Sequence, residues 1–195
     1  MPAKFIKEFI KNPMTTGAIA PSSSSLAKEI LHYWPKKENA TVIEYGPGTG
    51  AITKKIVAKM KKHEVVAFEL NSQFIKKLQS DFSTIKIINE SAESLPKILK
   101  DSDMEKASLI VSGLPWAVFN VKLQNSILDV TTENLQEDGV FSTFAYIHAL
   151  RMKRARHFED LLNKKFVEVR RSKVVWRNLP PALIYHCAIS KNILA

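Results

Sequence analysis

Val42-Ile43-Glu44-Tyr45-Gly46-Pro47-Gly48-Thr49-Gly50 is the stretch whose reading decides the fold. Apolar residues run into a Gly-x-Gly-x-Gly turn, and a helical pattern follows from Ala51 to Lys62. Glycines let the backbone approach a ligand, and the N–H groups of a following helix point at it. The stretch therefore predicts the first strand, turn and helix of an α/β domain, with a nucleotide-like ligand at the strand's carboxyl end. Glu69 lies 19 residues past Gly50, after the apolar run Val65-Val66-Ala67-Phe68. An acid at that offset is placed to accept hydrogen bonds from ribose hydroxyls.

The glycine spacing and Glu44 discriminate between ligands. Dinucleotide fingerprints prefer Gly-x-Gly-x-x-Gly, whereas Gly46, Gly48 and Gly50 alternate. An acid at the end of the first strand repels a pyrophosphate. It suits the ammonium group of an amino-acid moiety, reached through water. S-adenosyl-L-methionine has a ribose and a zwitterionic tail but no phosphate, and is the expected cofactor. The bland alternative is a tight strand–helix turn with no ligand.

Composition bounds the rest. With 195 residues, 45% hydrophobic and 25% charged, the chain has the make-up of a soluble globular protein. No apolar run approaches the roughly 18 residues that span a membrane, and no signal peptide is visible. The single cysteine, Cys187, lies in an apolar run and reads as a core residue of a protein from a reducing cytosol. The net charge of +10 points to an anionic partner, either nucleic acid or a membrane face. Residues 151–173 hold nine Lys/Arg against three acids.

Strands are expected at Thr41–Tyr45, Val65–Glu69, Ile85–Ile88, Leu109–Ser112, Val140–Ala145, Phe166–Trp176 and Leu183–Ile189. Helices are expected at Ile52–Lys61, Ser72–Asp81, Leu95–Leu99, Val121–Leu135 and Leu150–Asn163. The alternation implies a mostly parallel sheet. The short link Arg177-Asn178-Leu179-Pro180-Pro181 suits an antiparallel last pair. This describes a class I methyltransferase core: Rossmann-like, seven-stranded, mostly parallel with a terminal antiparallel strand. Residues 36–195 are assigned to that catalytic domain and 1–35 to an N-terminal helical segment. Phe5, Ile6, Phe9 and Ile10 fall on one face of an amphipathic helix, with Lys4, Lys7, Glu8 and Lys11 opposite. It is either an interfacial helix, with Lys4, Phe5, Phe9 and Ile10 on the membrane, or a helix packed on the domain.

Three further stretches carry a resemblance: Phe9 to Ser24, Ser112-Gly113-Leu114-Pro115-Trp116, and Trp176-Arg177-Asn178-Leu179-Pro180-Pro181-Ala182. With the glycine turn they resemble the small bacterial phospholipid N-methyltransferases, which are related to the rRNA adenine dimethylases. The resemblance implies stepwise methylation of phosphatidylethanolamine towards phosphatidylcholine, with S-adenosyl-L-homocysteine as second product, by a protein bound peripherally to the cytoplasmic membrane face. It places the cofactor on Thr16, Gly17, Glu44, Gly46, Gly48, Gly50, Glu69, Ser91, Ala92, Ser112 and Gly113. It places the substrate on Leu114, Pro115, Arg177 and Pro180. The chain departs from the family after the third strand. The usual Gly-Asp-Ala is replaced by Asn89-Glu90-Ser91-Ala92-Glu93, so Ser91, or else Glu90 or Glu93, takes the adenine contact.

In the adenine dimethylases the second stretch reads Asn-Leu-Pro-Tyr, and the Asn accepts from the target amine. Here that position is Gly113 and the aromatic is Trp116. The change moves the expected acceptor from RNA to another amine. Alternatives kept open are an rRNA adenine methyltransferase, a methyltransferase of another lipid amine such as an ornithine lipid, and a non-catalytic cofactor- or membrane-binding protein. Trp116 is either a cation–π partner for a methylated ammonium or a buried core residue. Methyl transfer needs alignment and a neutral amine, for which Tyr146 and His148 are the candidate proton acceptors or relays. Their bland readings are a rim tyrosine and a solvent-facing histidine. Arg177 is a candidate clamp for a lipid phosphate. The expected partners are a phospholipid and an anionic membrane surface, with nucleic acid disfavoured, a monomer favoured and no metal required.

Overall fold

The structure, a computed structural model, describes residues 22–195. The expectations for Lys4, Phe5, Phe9, Ile10, Thr16 and Gly17 lie outside the described residues. Seven strands form one sheet: β1 (Thr41–Tyr45), β2 (Glu64–Phe68), β3 (Lys86–Ile88), β4 (Ala107–Ser112), β5 (Leu135–Tyr146), β6 (Glu168–Arg171) and β7 (Ala182–Ala188). Their order is β3-β2-β1-β4-β5-β7-β6. β1 pairs in parallel with β2 and β4, whereas β7 runs antiparallel between β5 and β6. This is the expected architecture. The sheet edge on that side is β6, with the antiparallel β7 one strand inward.

Every residue of β1 is buried, because helices cover both faces of the central strands. Alternate residues serve different layers. Ile43 and Tyr45 face a core with α4 (Leu95–Asp101), α5 (Val121–Glu133) and α6 (Lys153–Lys165). Val42 faces the other core, with α1 (Ser24–Ile30) and α2 (Thr53–Lys59). α3 (Ser72–Asp81) reaches Gly50 with Leu78, and Phe82 just beyond the helix touches the same glycine. Asn71 starts α3 by accepting the N–H groups of Gln73 and Phe74.

Three elements differ from expectation. α1 falls inside the expected N-terminal helical segment, 1–35, but no helix is placed at Ser24–Ile30 by the sequence pattern. Ser23 is its N-cap, accepting from Leu26 N, and Leu26, Ala27 and Ile30 bury their stripe against the sheet. β5 begins five residues earlier than Val140, because Leu135 pairs with Ala107 before the register shifts to Leu109 with Val140. β6 is shorter than Phe166–Trp176. Beyond Ser172 only the single bridge of Val175 to Ala182 continues the pairing.

His186 on β7 shows what the sheet's second face demands. Its Nδ1 lies 2.8 Å from Ser142 Oγ, while Nε2 is buried without a partner. Desolvation, with His32 nearby, lowers its pKa from 6.5 to about 4. Between those values the unfolded chain binds a proton that the folded chain does not. Stability is therefore full above pH 6.5 and is lost as pH falls towards 4. The loss expected from this group is about 3 kcal/mol. Urea melts of wild type and His186→Gln across pH 7 to 4 should diverge by that amount, wild type losing more. Parallel pH profiles would show that the imidazole charges freely in the fold.

Candidate functional site

Gly46, Gly48 and Gly50 all have positive φ, at 66°, 54° and 83°, so the turn needs glycine at each. They face different surroundings. A Cβ on Gly50 would lie 2.7 Å from the Phe82 ring, and one on Gly46 3.0 Å from Leu114. A Cβ on Gly48 would meet no described residue within 4 Å. Gly48 is thus the open point of the turn, where backbone is exposed to an approaching ligand.

Glu69 stands over this opening. Its Oε2 accepts from Gly48 N at 3.0 Å, and its Oε1 accepts from Leu70 N and Asn71 N at 2.8 and 2.9 Å. A carboxylate offers about four acceptor positions, so these three bonds orient it and leave capacity for a ligand hydroxyl. Burial raises its pKa, and the three backbone donors oppose that rise.

Glu44 departs from the expectation of a charged acid facing an ammonium group. It is buried beneath the turn, with Oε2 accepting from Thr53 Oγ1 at 2.8 Å and Oε1 without a partner. Desolvation raises its pKa to about 8, despite the Thr53 bond, and the Glu69 charge adds to the rise. At neutral pH the side chain is mainly a neutral carboxyl that fixes the first turn of α2.

Ser91 accepts from Glu93 N and donates to Glu93 Oε2 at 3.1 Å, capping the short turn Ala92–Ser94. Glu93 is further engaged by Ser126 Oγ at 2.5 Å, and Glu90 pairs with Lys97. Asn89 donates to the Glu69 carbonyl at 3.1 Å, tying the end of β3 to the glycine turn's acid. Ser112 is buried and accepts from Leu114 N, while Gly113 N donates to Tyr45 O at 2.7 Å. The open Gly48 backbone and the oriented Glu69 carboxylate fit the ribose side of S-adenosylmethionine, with the buried Glu44 bracing the turn beneath them.

Beside this turn a cavity of about 210 Å³ opens. Seven expected site residues line it together: Gly113, Leu114, Pro115, Trp116, Tyr146, His148 and Pro180. Its other walls include Phe144, Met152, Ala155 and Phe158, and among the described residues no Asp, Glu, Lys or Arg lines it. Trp116 is 3% exposed, stacks on Phe158 at 4.4 Å between centroids, and donates from Nε1 to Thr143 Oγ1 at 2.9 Å. It is a packed wall, with one ring face already covered. Gln124 holds this wall by donating to the carbonyls of Trp116 and Arg154. The Tyr146 hydroxyl is buried without a partner, and desolvation pushes its pKa up to about 12. It is therefore a neutral phenol, unsuited to taking a proton outright. His148 is exposed and stacks on Tyr146 at 5.7 Å. Cys187 is buried, and burial pushes its thiol pKa up, in keeping with a core residue.

The sequence reading missed Asn178, which joins two of the quoted stretches. It is 1% exposed, accepts from Ser23 N at 2.8 Å and donates to Pro180 O at 2.7 Å. Arg177, beside it, is exposed. The clue was a polar amide between apolar and proline residues, whose partner 155 residues away no local pattern reveals.

The ribosomal RNA adenine dimethylase family matches residues 3–120, covering the glycine turn and the loop after β4. The chain belongs to this family. It is a class I methyltransferase that depends on S-adenosylmethionine. It is 28% identical to an ornithine lipid N-methyltransferase of Singulisphaera acidiphila, over 94% of this chain and 93% of that one. A ribosomal RNA small subunit methyltransferase A of Hydrogenobaculum is 31% identical over 60% of the chain, which spans only 44% of that relative's length. Among solved structures, a TehB-like methyltransferase from Corynebacterium glutamicum superposes with a TM-score of 0.64. That match is 14% identical and covers 96% of this chain and 97% of the other. The N-methyltransferase NodS from Bradyrhizobium japonicum gives 0.63 at 14% identity, covering 83% and 92%. At such identities the structures speak for the fold alone. No described helix is long and apolar enough to cross a membrane.

Proposed function

We propose that this chain methylates the amine of a membrane lipid, phosphatidylethanolamine in the first instance, at the surface of the bilayer. The observation that carries the reading is the apolar cavity beside Gly113. A pocket whose described walls carry no charge receives hydrocarbon more readily than a nucleobase edge rich in hydrogen-bonding groups. Gly113 also offers no side-chain acceptor for an adenine amine. Similarity to an ornithine lipid methyltransferase over nearly the whole of both chains supports a lipid amine, and it makes ornithine lipid the second candidate acceptor. Both lipids carry an amine and an anionic group on a hydrocarbon anchor.

When bound, S-adenosylmethionine supplies a methyl group on a sulfonium and is left as S-adenosylhomocysteine. Glu69 and the Gly48 backbone are the groups that would hold it, with Glu44 and Thr53 bracing the turn beneath. The protein's part in the reaction is then alignment and desolvation. The neutral Tyr146 hydroxyl accepts a hydrogen bond from the incoming amine and fixes its direction. The ammonium proton leaves through His148 or water at the mouth, freeing the nitrogen lone pair. Arg177 on the exposed turn pairs with the lipid's anionic group.

The test is transfer of label from S-adenosylmethionine in three reactions. Two contain phosphatidylglycerol vesicles doped with phosphatidylethanolamine or with ornithine lipid, and the third contains unmodified ribosomal RNA. Label in a lipid extract that disappears when the amine lipid is omitted is the expected result, and the more active vesicle names the headgroup. Label in RNA alone would sink the proposal.

A further inference from the structure

Trp176 and Leu179 are 75% and 76% exposed, although both belong to a firmly held turn. Between them Asn178 is buried, with its N–H on Val175 O and its amide bridging Ser23 and Pro180. The two apolar side chains are thus presented to solvent by an anchored backbone. Pro180, next in the chain, lines the cavity. Pro181 O accepts from Ile147 N at 3.0 Å, which brings the turn against Ile147–Arg151. Met152 follows that segment; it is 44% exposed and also lines the cavity. Met152 thus lines the cavity itself, while Leu179 and Trp176 stand on the turn that supplies its Pro180 wall.

The charge around them is of one sign. Residues 147–157 and 172–181 carry Arg151, Lys153, Arg154, Arg156, Lys173 and Arg177, with no Asp or Glu. Of the three acids in the wider basic run, Asp160 is exposed and the other two are engaged elsewhere. Glu159 pairs with Arg171, and Glu168 accepts the N–H groups of Asn192, Ile193 and Leu194. A cationic rim around protruding Trp, Leu and Met side chains complements a surface that is anionic at its headgroups and apolar just beneath. Tryptophan suits that boundary because its ring is apolar and its N–H polar.

Building on the lipid-amine reading, we infer that the Trp176–Leu179 turn, with Met152, is a docking surface for an anionic bilayer. It seats the cavity mouth on the membrane, so that a lipid reaches the site without crossing bulk water. An RNA strand would also meet the cationic rim, but Leu179 and Met152 offer it neither stacking nor hydrogen bonds.

The experiment compares the full chain with the Trp176→Ala/Leu179→Ala variant. Sedimentation with phosphatidylglycerol–phosphatidylcholine vesicles that contain no amine lipid reads docking alone. The variant should lose at least tenfold in vesicle affinity. Its calorimetric affinity for S-adenosylmethionine and its methylation of monomeric dihexanoyl phosphatidylethanolamine should be unchanged. In wild type, emission should shift to the blue on adding vesicles, and Trp176→Phe should abolish the shift. Equal vesicle affinity in the two proteins, or a variant that loses RNA binding but keeps vesicle binding, overturns the inference. Wild-type docking through Trp176 without methylation of any lipid amine would leave the docking surface standing and remove the proposed activity. Methylation of lipid amines with unaltered vesicle binding by the variant would do the reverse.

Discussion

Replacing Gly113 by asparagine is expected to weaken S-adenosylmethionine binding by about a hundredfold, near 3 kcal/mol. A Cβ at this position would lie 2.6 Å from the Gly46 carbonyl oxygen. Both partners are backbone, so no rotamer change relieves the clash. Gly113 cannot withdraw without breaking its 2.7 Å bond to Tyr45 O, which joins the ends of β4 and β1. Gly46 is equally fixed, by its N–H on Phe68 O at 2.9 Å and by Leu114 on the side where its own Cβ would point. The strain must pass into the glycine turn, and overpacking of this kind typically costs about 1–3 kcal/mol before any ligand contact is lost. Titration calorimetry on Gly113→Ala and Gly113→Asn reads the effect, the alanine variant isolating the Cβ. The side chain that anchors the target amine in adenine dimethylases thus has no room on this backbone. Unchanged affinity for the cofactor, or new activity on ribosomal RNA, would show that the turn yields and that Gly113 does not set acceptor class.

How far the sequence could be read depends on where each determinant lies. β1 was legible to the residue, because Val42, Ile43 and Tyr45 form an apolar run, broken only by Glu44, that ends in glycines only the turn explains. The antiparallel pairing of β6 with β7 followed from a link too short for a crossover, whereas the insertion of β7 between β5 and β6 had no local signal. Local pattern failed where a distant partner decides. Ser23 caps α1, and its N–H donates to Asn178, a partner 155 residues away that fixes where the helix starts. The extension of β5 to Leu135 depends on a register shift against β4 that no window of sequence contains. The site divides in the same way. Gly113, Leu114, Pro115, Trp116 and Pro180 were visible as motif members and Tyr146 and His148 as titratable groups after the fifth strand, and the fold gathers them around one cavity. Their protonation was not visible. Burial makes Glu44 mainly neutral at pH 7 and moves the Tyr146 phenol further from ionisation, and burial is a property of the packed chain rather than of its spelling.

Trp116→Ala is expected to lower the free energy of unfolding by about 3–5 kcal/mol, as large-to-small changes of buried tryptophan do. The indole is enclosed by Phe119, Phe141 and Phe158, and its loss would leave Thr143 Oγ1 without the Nε1 donor. The Trp116 carbonyl also holds Gln124, so the damage extends to the join between the loop after β4 and α5. An inactive alanine variant would therefore say nothing about catalysis. Trp116→Phe is the informative change. It keeps an aromatic ring to stack on Phe158, costs less stability, and removes the larger π-surface that a cation–π contact would use. Urea melts and steady-state kinetics on the same lipid acceptor separate the two roles. If the tryptophan is a wall, the phenylalanine variant retains kcat within a fewfold and its stability loss is the larger effect. A collapse of kcat with stability nearly intact would instead place the indole against the reacting amine, and the stacking on Phe158 would then have to open during turnover.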